Sequence, residues 1–224
     1  NGKLEIKSYY NLTLDYKEMS FDEAVSKIEN EVEESVKYHK ISDVEVGSFL
    51  SGGVDSSYVV ATAMPNKTFS VGFDNKGFNE TVYAKELSDR LGIENFSKII
   101  TPDEFFDGIN KVQYFSDEPH ANLSSVALYF LSKLASEQVK VVLSGEGADE
   151  LFAGYNEYAE ALPQRIYKKL PFWLRNKLYK KLKDKRHFSG KTIVMKYGQK
   201  VEDRYIGPAE IMSDEQANLI LKEK

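Results

Sequence analysis

The sequence predicts an α/β protein with a doubly wound, open parallel sheet, helices on both faces and a C-terminal helical appendage. Short apolar runs alternate with segments of helical periodicity between residues 20 and 143. Two glycine-rich segments, residues 51–57 and 144–154, each follow one of these apolar runs. Beyond Gly154 the pattern becomes helical and basic, and 224 residues are enough to bury a substantial core.

Each element is predicted from its periodicity and from signals at its ends. Ser20 and Glu23 form a capping-box pattern before an amphipathic helix that reaches about residue 36. Thr101, Pro102 and Glu104 mark the start of a helix that extends to about residue 115. The other elements are strand 44–50, helix 55–63, strand 68–73, a helix capped by Asn79 and ended by Gly92, strand 96–100, helix 124–137 and a strand within 139–145. The last run, VKVVLSG, is typical of a parallel strand covered on both faces.

Composition divides the chain near residue 160. Residues 1–160 are predicted to form the α/β domain, and residues 161–224 a basic helical appendage. Residues 165–186 carry ten Lys or Arg and one acid, while apolar residues recur every four positions from Ile166 to Leu182. This pattern favours a solvated helical face with a buried stripe over an anion or nucleic-acid patch, and Trp173 is expected to pack.

Composition also excludes several classes of function. The net charge of −5 argues against a general nucleic-acid binder. No stretch approaches the roughly 20 apolar residues of a membrane span, and NGKLEIKSYY lacks the apolar core of a signal peptide, so we expect a cytoplasmic protein. The absence of cysteine excludes disulfides, thiolate zinc sites and a cysteine nucleophile.

The segment LSGGVDSS, residues 50–57, lies between a predicted strand and a predicted helix, where a phosphate-binding turn is expected. Gly52 and Gly53 let the backbone approach a ligand closely, and Ser51, Ser56 and Ser57 add hydroxyl donors. The turn contains no lysine and is therefore not a Walker A loop. It is suited to an anion of the size of pyrophosphate.

The second segment, GEGADE, begins like the dinucleotide fingerprint GxGxxG, but Glu150 takes the place of the third glycine. Its carboxylates would repel a pyrophosphate unless a cation lay between them. Because ligands bind at the carboxyl ends of parallel strands, we expect both segments to face one pocket, where Asp55 and Asp149 could hold one Mg²⁺. The alternative is that Asp55 is a helix N-terminal charge and Asp149 a cap.

Together these motifs resemble the C-terminal synthetase domain of glutamine-dependent asparagine synthetases. LSGGVDSS is similar to the pyrophosphate loop of the N-type ATP pyrophosphatases, and FSVGF, residues 69–73, to their adenosine-binding strand. LSGEGADELFAGY, residues 143–155, resembles a motif of asparagine synthetases and their near relatives. The resemblance covers residues 20–160 well, and DRYIG at residues 203–207 is a weaker match.

The resemblance implies that ATP and Mg²⁺ are used to convert aspartate to asparagine through a β-aspartyl-AMP intermediate, with release of AMP and pyrophosphate. The implied metal ligands are Asp55 and Asp149. The implied catalytic residues are Glu146, which would orient aspartate or assist the ammonia step, and Tyr155, which would line the pocket. Glu150 is either a site residue or a helix cap. The implied nucleotide contacts are Leu50, Ser51, Gly52, Gly53, Asp55, Ser56, Ser57, Val71, Gly72, Ser144 and Gly145.

Two parts of the family pattern have no counterpart in this sequence: the glutaminase domain, whose N-terminal cysteine releases ammonia, and the RVPFLD segment. We therefore expect an incomplete synthetase domain that works with aspartate, ATP, ammonia and a glutaminase domain, with a homodimer as one option. One alternative is a related adenylating enzyme for another acid, such as a β-lactam synthetase or a natural-product amidotransferase. The other is a nucleotide-binding fragment without turnover.

Overall fold

The computed structural model describes residues 2, 4–11, 13, 15–75, 77, 79–117, 122–183, 185–186, 188–200 and 219–220. The chain forms two compact units, Asn1–Glu146 and Gly147–Lys224. This division lies inside the second glycine-rich segment, whereas composition places the boundary near residue 160. The DRYIG match at residues 203–207 lies outside the described residues.

The first unit alternates helices and strands after an opening helix, as predicted. The first strand is shorter than predicted and ends at Phe49, although the Leu50 amide still donates to the Phe69 carbonyl at 2.9 Å. The elements of this unit are α1 (Phe21–His39), β1 (Val46–Phe49), α2 (Val54–Ala63), β2 (Lys67–Phe73), α3 (Thr81–Leu91), β3 (Glu94–Ile100), α4 (Pro102–Phe115), α5 (Ser124–Ser136) and β4 (Val141–Leu143).

Within the described residues, the four strands form one parallel sheet in the order β3-β2-β1-β4. β1 pairs with β2 on one side, with Ser48 beside Thr68, and with β4 on the other, with Ser48 beside Leu143. β2 and β3 pair from Lys67 to Phe73. The chain thus runs outward from β1 to β3 and later returns to the opposite side of β1. This reversal is typical of a doubly wound sheet, and the predicted fold class is confirmed.

Helices pack against both faces of the sheet. Phe49 and Leu50 are successive residues, so their side chains point to opposite faces. Leu50 packs with Val60 of α2 and Ala84 of α3, while Phe49 joins a cluster with Phe69 and α5. A third cluster joins α1, α2 and β4 and contains Val36, Ala63 and Leu143.

The last strand, β4, is less buried than the run VKVVLSG predicts. It has three residues and stands at one end of the strand order, beside β1. Leu143 is buried in the core, but Val141 is exposed. The prediction of coverage on both faces is therefore wrong for Val141, at the start of the strand, whereas Leu143 packs with α1 and α2 on one face and Val142 joins the cluster with α5 on the other.

The predicted signals at helix ends act as hydrogen-bonded caps. Thr101 Oγ1 accepts from the Glu104 amide at 3.2 Å, and the Glu104 carboxylate accepts from the Thr101 amide at 3.0 Å, which completes a capping box. Lys98 Nζ also donates to Glu104, at 2.7 Å, and this bond is the main reason that the pKa of Glu104 lies below its ordinary value of 4.5. Ser20 caps α1, and Gly92 ends α3 with a φ of 69°.

The described residues of the second unit form helices and their connections, as the sequence predicts. It contains α6 (Ala148–Phe152), a 3-10 helix (Asn156–Tyr158), α7 (Leu162–Lys168), α8 (Phe172–Leu182) and α9 (Lys191–Tyr197). Arg175 Nη1 donates to the Tyr197 carbonyl at 2.7 Å, and Asn176 Nδ2 to the Gly198 carbonyl at 2.9 Å. These two side chains of α8 therefore satisfy carbonyls at the end of α9.

The predicted apolar stripe of the basic segment is only partly buried. Leu174, Leu178 and Leu182 are half-buried, whereas Ile166 is exposed. The expectation that Trp173 packs is wrong, since 68% of this residue is exposed. In the described part of the chain, we find no helix with the length and apolar character that a membrane span requires.

Candidate functional site

The two glycine-rich segments begin at neighbouring strand ends in the first unit. One follows β1 and the other follows β4, and these strands are hydrogen-bonded neighbours. Because the chain order reverses at β1, the carboxyl ends of β1 and β4 flank the switch point, where doubly wound sheets bind ligands. We define residues 50–57 and 144–146 as the β1/β4 crevice.

The two sides of the crevice touch through backbone atoms. A Cβ atom placed on Gly145 would lie 2.8 Å from the Ser56 nitrogen and 3.0 Å from the Asp55 carbonyl carbon. Only a glycine fits at this separation, since both neighbouring atoms belong to the backbone of α2. The first turn of α2 and the start of the second motif are therefore packed directly together.

The serines of the first loop form a connected hydroxyl network. Ser51 Oγ and Ser56 Oγ are 3.0 Å apart, and the Gly53 amide donates to Ser51 Oγ at 3.2 Å. Ser56 Oγ also donates to the Gly53 carbonyl at 3.3 Å. The Ser57 amide donates to the same Gly53 carbonyl, at 3.0 Å. The loop thus presents hydroxyl groups at fixed positions beside the start of α2.

Gly52 and Gly53 give this loop its shape. Gly52 has a φ of 85°, a left-handed conformation that favours glycine, and a Cβ there would lie 2.7 Å from Tyr83 Cβ. Gly53 is the N-cap of α2 and provides no side-chain hydrogen bond to the helix. The first-turn amides of this ten-residue helix thus lack a cap from the N-cap side chain, which leaves them suited to an anion.

The residues expected to contact adenosine lie at the ends of β1 and β2. The Leu50 side chain is buried in the core, its amide bonds to Phe69, and its carbonyl accepts from Ser70 Oγ at 2.7 Å. The backbone of Leu50 thus attaches the loop to β2, and its side chain packs in the core and does not face the crevice. Val71 is half-buried near the end of β2, and Gly72 beside it is buried.

Asp55 lies in the first turn of α2 with its carboxylate exposed to solvent. Among the described residues, no hydrogen bond or ion pair is found for this carboxylate. An exposed carboxylate beside serine hydroxyls is an oxygen donor set, which is what Mg²⁺ prefers. Within the same part of the chain, no group of three or more His, Cys, Asp or Glu side chains is arranged to hold a metal ion. Any magnesium there would keep several waters.

On the β4 side, the backbone turns sharply after the strand. Ser144 Oγ accepts a hydrogen bond from the Glu146 amide at 3.1 Å, which fixes the turn. Ser144 and Glu146 are both exposed, and Gly145 between them is half-buried. The Glu146 carboxylate thus stands at the surface of the crevice, where packing does not explain it.

The other predicted site residues belong to the second unit. A Cβ on Gly154 would collide with Asp149 Oδ1, so this carboxylate occupies the space that the glycine leaves open. Tyr155 Oη donates to the Glu150 carboxylate at 2.7 Å, and this bond is the main cause that lowers the pKa of Glu150. Glu150 is thus paired with Tyr155, and the Tyr158 ring lies 5.7 Å from the ring of Tyr155.

Sequence reasoning did not assign Asn79, Thr81 or Tyr83 to the site. These residues stand at the start of α3 and contact Gly52 and Gly72. The sequence signal for Asn79 was a predicted capping role. The N-cap of α3 is instead Glu80, one residue later, and Asn79 Oδ1 accepts from the amide of Thr81, the first helical residue, at 3.2 Å. No pattern in the sequence indicates that the same side chain lies against Gly72.

Comparison with known proteins assigns the chain to a family. A family model described as asparagine synthase matches residues 27–219. Asparagine synthetase [glutamine-hydrolyzing] 1 of Bacillus subtilis is 39% identical over 99% of this chain and 36% of its own length. Asparagine synthetase B [glutamine-hydrolyzing] of Escherichia coli is 32% identical over 70% of this chain and 32% of its own length. The chain thus spans about a third of the length of these curated relatives.

Among solved structures, a glutamine-dependent NAD⁺ synthetase from Acinetobacter baumannii aligns with a TM-score of 0.40 and 16% identity. The alignment covers 83% of this chain and 45% of that one. The family assignment rests on the family model and the curated relatives alone.

Proposed function

This chain belongs to the asparagine synthase family, and we propose that it carries the ATP-binding part of an enzyme that converts aspartate to asparagine. The contact between Gly145 and Ser56 carries the proposal. It supports one shared crevice for a loop suited to pyrophosphate and for a motif that resembles asparagine synthetases. Neither motif alone would distinguish this function from other uses of ATP.

In the proposed complex, ATP lies across the carboxyl ends of β1, β2 and β4. The pyrophosphoryl end is bound by the Gly52 amide, by the first-turn amides of α2 after Gly53, and by the hydroxyls of Ser51, Ser56 and Ser57. The adenosine end lies along Val71 and Gly72. Ser144 and Gly145 close the β4 side. Leu50 contributes from the core by holding the loop on β2.

The exposed carboxylate of Asp55 suits a magnesium ion bound together with the phosphates. We extend this proposal to Asp149 from the family resemblance alone. When bound, Mg²⁺ would neutralise charge on the departing pyrophosphate and fix its orientation. The hydroxyls and amides of the first loop would share that task, since hydrogen-bond donors held in place stabilise developing charge without reorganisation.

The proposed chemistry has two steps. In the first, an oxygen of the aspartate side-chain carboxylate attacks the α-phosphorus, the α–β bond breaks, and pyrophosphate leaves with the bonding electron pair. In the second, ammonia attacks the carbonyl of the β-aspartyl-adenylate, AMP departs, and the nitrogen loses a proton to give the amide. Glu146 is the proposed group beside aspartate or ammonia, because its carboxylate is exposed at the crevice. Tyr155 is proposed to line the pocket, from the resemblance alone.

The proposed ammonia source is a glutaminase domain, since the curated relatives are named as glutamine-hydrolysing and are about three times as long as this chain. The same difference in length favours a second candidate function, in which these residues bind the nucleotide but catalyse no reaction without the rest of a longer protein. The identity of the acid is also part of the proposal, because a relative that adenylates another acid would use the same crevice.

Product analysis tests the proposal. The chain would be incubated with Mg·ATP, ammonium and aspartate, and the nucleotide, phosphate and amino-acid products would be separated. Asparagine together with AMP and pyrophosphate supports the proposal, and Glu146→Gln should then retain ATP binding but lose most asparagine formation. ADP and inorganic phosphate would contradict it. An amide of a different acid would favour the related adenylating enzymes, and ATP binding without products would favour the nucleotide-binding fragment.

A further inference from the structure

The two glycines that shape the proposed nucleotide site pack against the same short segment, residues 79–84 at the start of α3. A Cβ on Gly52 would lie 2.7 Å from Tyr83 Cβ and 3.3 Å from the Ala84 nitrogen. A Cβ on Gly72 would lie 2.5 Å from Asn79 Oδ1 and 3.0 Å from Thr81 Cγ2. Gly52 belongs to the loop after β1, and Gly72 to β2. The start of α3 is thus a common support for both.

The Asn79 side chain is held in place by hydrogen bonds at this support. Its Oδ1 accepts from the Thr81 amide at 3.2 Å and from Thr81 Oγ1 at 2.6 Å. Thr81 is buried, so this pair has little freedom to move. One amide oxygen therefore bonds to the first residue of α3 and also lies against Gly72 near the end of β2.

We infer that Asn79 is a positioning residue that sets the separation between the pyrophosphate loop and the adenosine-binding end of β2. The inference rests on the proposed function. A ligand that spans both parts of the site, such as ATP, needs the correct separation, whereas pyrophosphate needs the loop alone. Loss of the Asn79 side chain should therefore weaken ATP much more than pyrophosphate.

The test compares the affinities of Mg·ATP and Mg·pyrophosphate for the 224-residue chain by calorimetry. Asn79→Ala should weaken ATP relative to pyrophosphate by about tenfold or more. Asn79→Asp keeps the oxygen that accepts from Thr81, so the ratio of ATP affinity to pyrophosphate affinity should return most of the way to the wild-type value. The added negative charge acts on both anions and therefore does not change this ratio by itself. Melting temperatures of the same preparations show whether the variants remain folded.

The matched control is Ser20→Ala, which removes a helix cap at the start of α1. Ser20 lies roughly 24 Å along that helix from Val36, which packs in the core, at a rise of about 1.5 Å per residue. This variant should lower the melting temperature and leave the ratio of the two affinities unchanged. If Asn79→Ala behaves in the same way, Asn79 is only a helix cap and the inference is wrong.

A double-mutant cycle gives an independent test. Gly72→Ala places a Cβ against Asn79 Oδ1, so it should also lower the ATP-to-pyrophosphate ratio. In the Asn79→Ala background that oxygen is gone, and Gly72→Ala should have a clearly smaller effect. Additive effects would overturn the inference. A wild-type chain that binds neither ligand would instead overturn the proposed function, and the inference would fall with it.

Discussion

The Gly145 Cα lies so close to the Ser56 backbone that a methyl group there would meet the Ser56 nitrogen at 2.8 Å. Because the obstructing atoms are backbone, Gly145→Ala must push the two loops apart. We expect a loss of about 1 to 3 kcal/mol in the free energy of unfolding, together with weaker binding of Mg·ATP. Denaturant unfolding and calorimetry on one preparation measure both.

Gly92→Ala is the control for this variant. Gly92 has a φ of 69° and precedes β3, at the opposite edge of the sheet from the crevice. Alanine there should cost about 1 kcal/mol through backbone strain but leave ATP affinity unchanged. Equal losses of ATP affinity in the two variants would show that general destabilisation is the cause.

Asp55→Asn tests the metal assignment. The substitution keeps the size of the side chain but removes the charge that would hold Mg²⁺ against the phosphates. We expect Mg·ATP to weaken by about tenfold or more, because interactions with charged groups contribute about 1.5 to 3 kcal/mol. AMP lacks the departing phosphates and should bind nearly as before. Equal losses for ATP and AMP would contradict the assignment.

Ala153 adopts a left-handed backbone conformation with a φ of 56°, at the C-cap of α6. Glycine has no Cβ and adopts this conformation without strain, so Ala153→Gly should stabilise the chain by up to about 1 kcal/mol. The greater conformational entropy of glycine in the unfolded chain offsets part of this gain. Ala159 has an ordinary φ of −73°, and Ala159→Gly should destabilise. Thermal unfolding of both variants checks the difference, and a shift in the same direction for both would rule out backbone strain at Ala153.

The Lys98–Glu104 pair predicts a pH dependence of stability. The Lys98 hydrogen bond lowers the pKa of Glu104 below 4.5 in the folded chain, so its stabilising effect is fully present above the unfolded pKa. It is lost as the pH falls through the lowered folded pKa. The stability difference between wild type and Glu104→Gln should therefore be largest near pH 7 and shrink below about pH 4.5. The same comparison of Glu104 with Glu104→Gln, made in the Lys98→Met background, should show a much smaller pH dependence. An unchanged dependence of the stability difference on pH would contradict the role of Lys98.

Much of the fold follows from local signals that the structure retains. The capping box at Thr101 and Glu104 and the glycine at position 92 act through their own backbone neighbours, which is why the sequence reveals them. The exposure of Val141 depends on which elements cover the start of β4, and this is a non-local property. Trp173 is exposed for a similar reason, since helical spacing alone does not say what a face packs against.

The candidate site shows the same division. Its loops could be predicted because Gly52, Gly53 and the neighbouring serines are consecutive in the chain. The contact of Gly145 with Ser56 and that of Gly72 with Asn79 join residues that are distant or separated by a turn. Such contacts are set by tertiary packing, and they decide which of the predicted residues can act on one ligand.

The central claim is that the β1/β4 crevice binds the pyrophosphoryl end of ATP. Its most direct test is titration of the isotope-labelled chain with Mg·pyrophosphate and then with Mg·ATP, followed through backbone amide resonances. Pyrophosphate should shift the amides of Gly52, Gly53, Ser56 and Gly145, and ATP should shift Gly72 in addition. No saturable shift at these amides would contradict the claim. So would shifts centred on the cavity of about 580 Å³ near the amino ends of β1 and β2, which is lined by Lys40, Glu45 and Asn66.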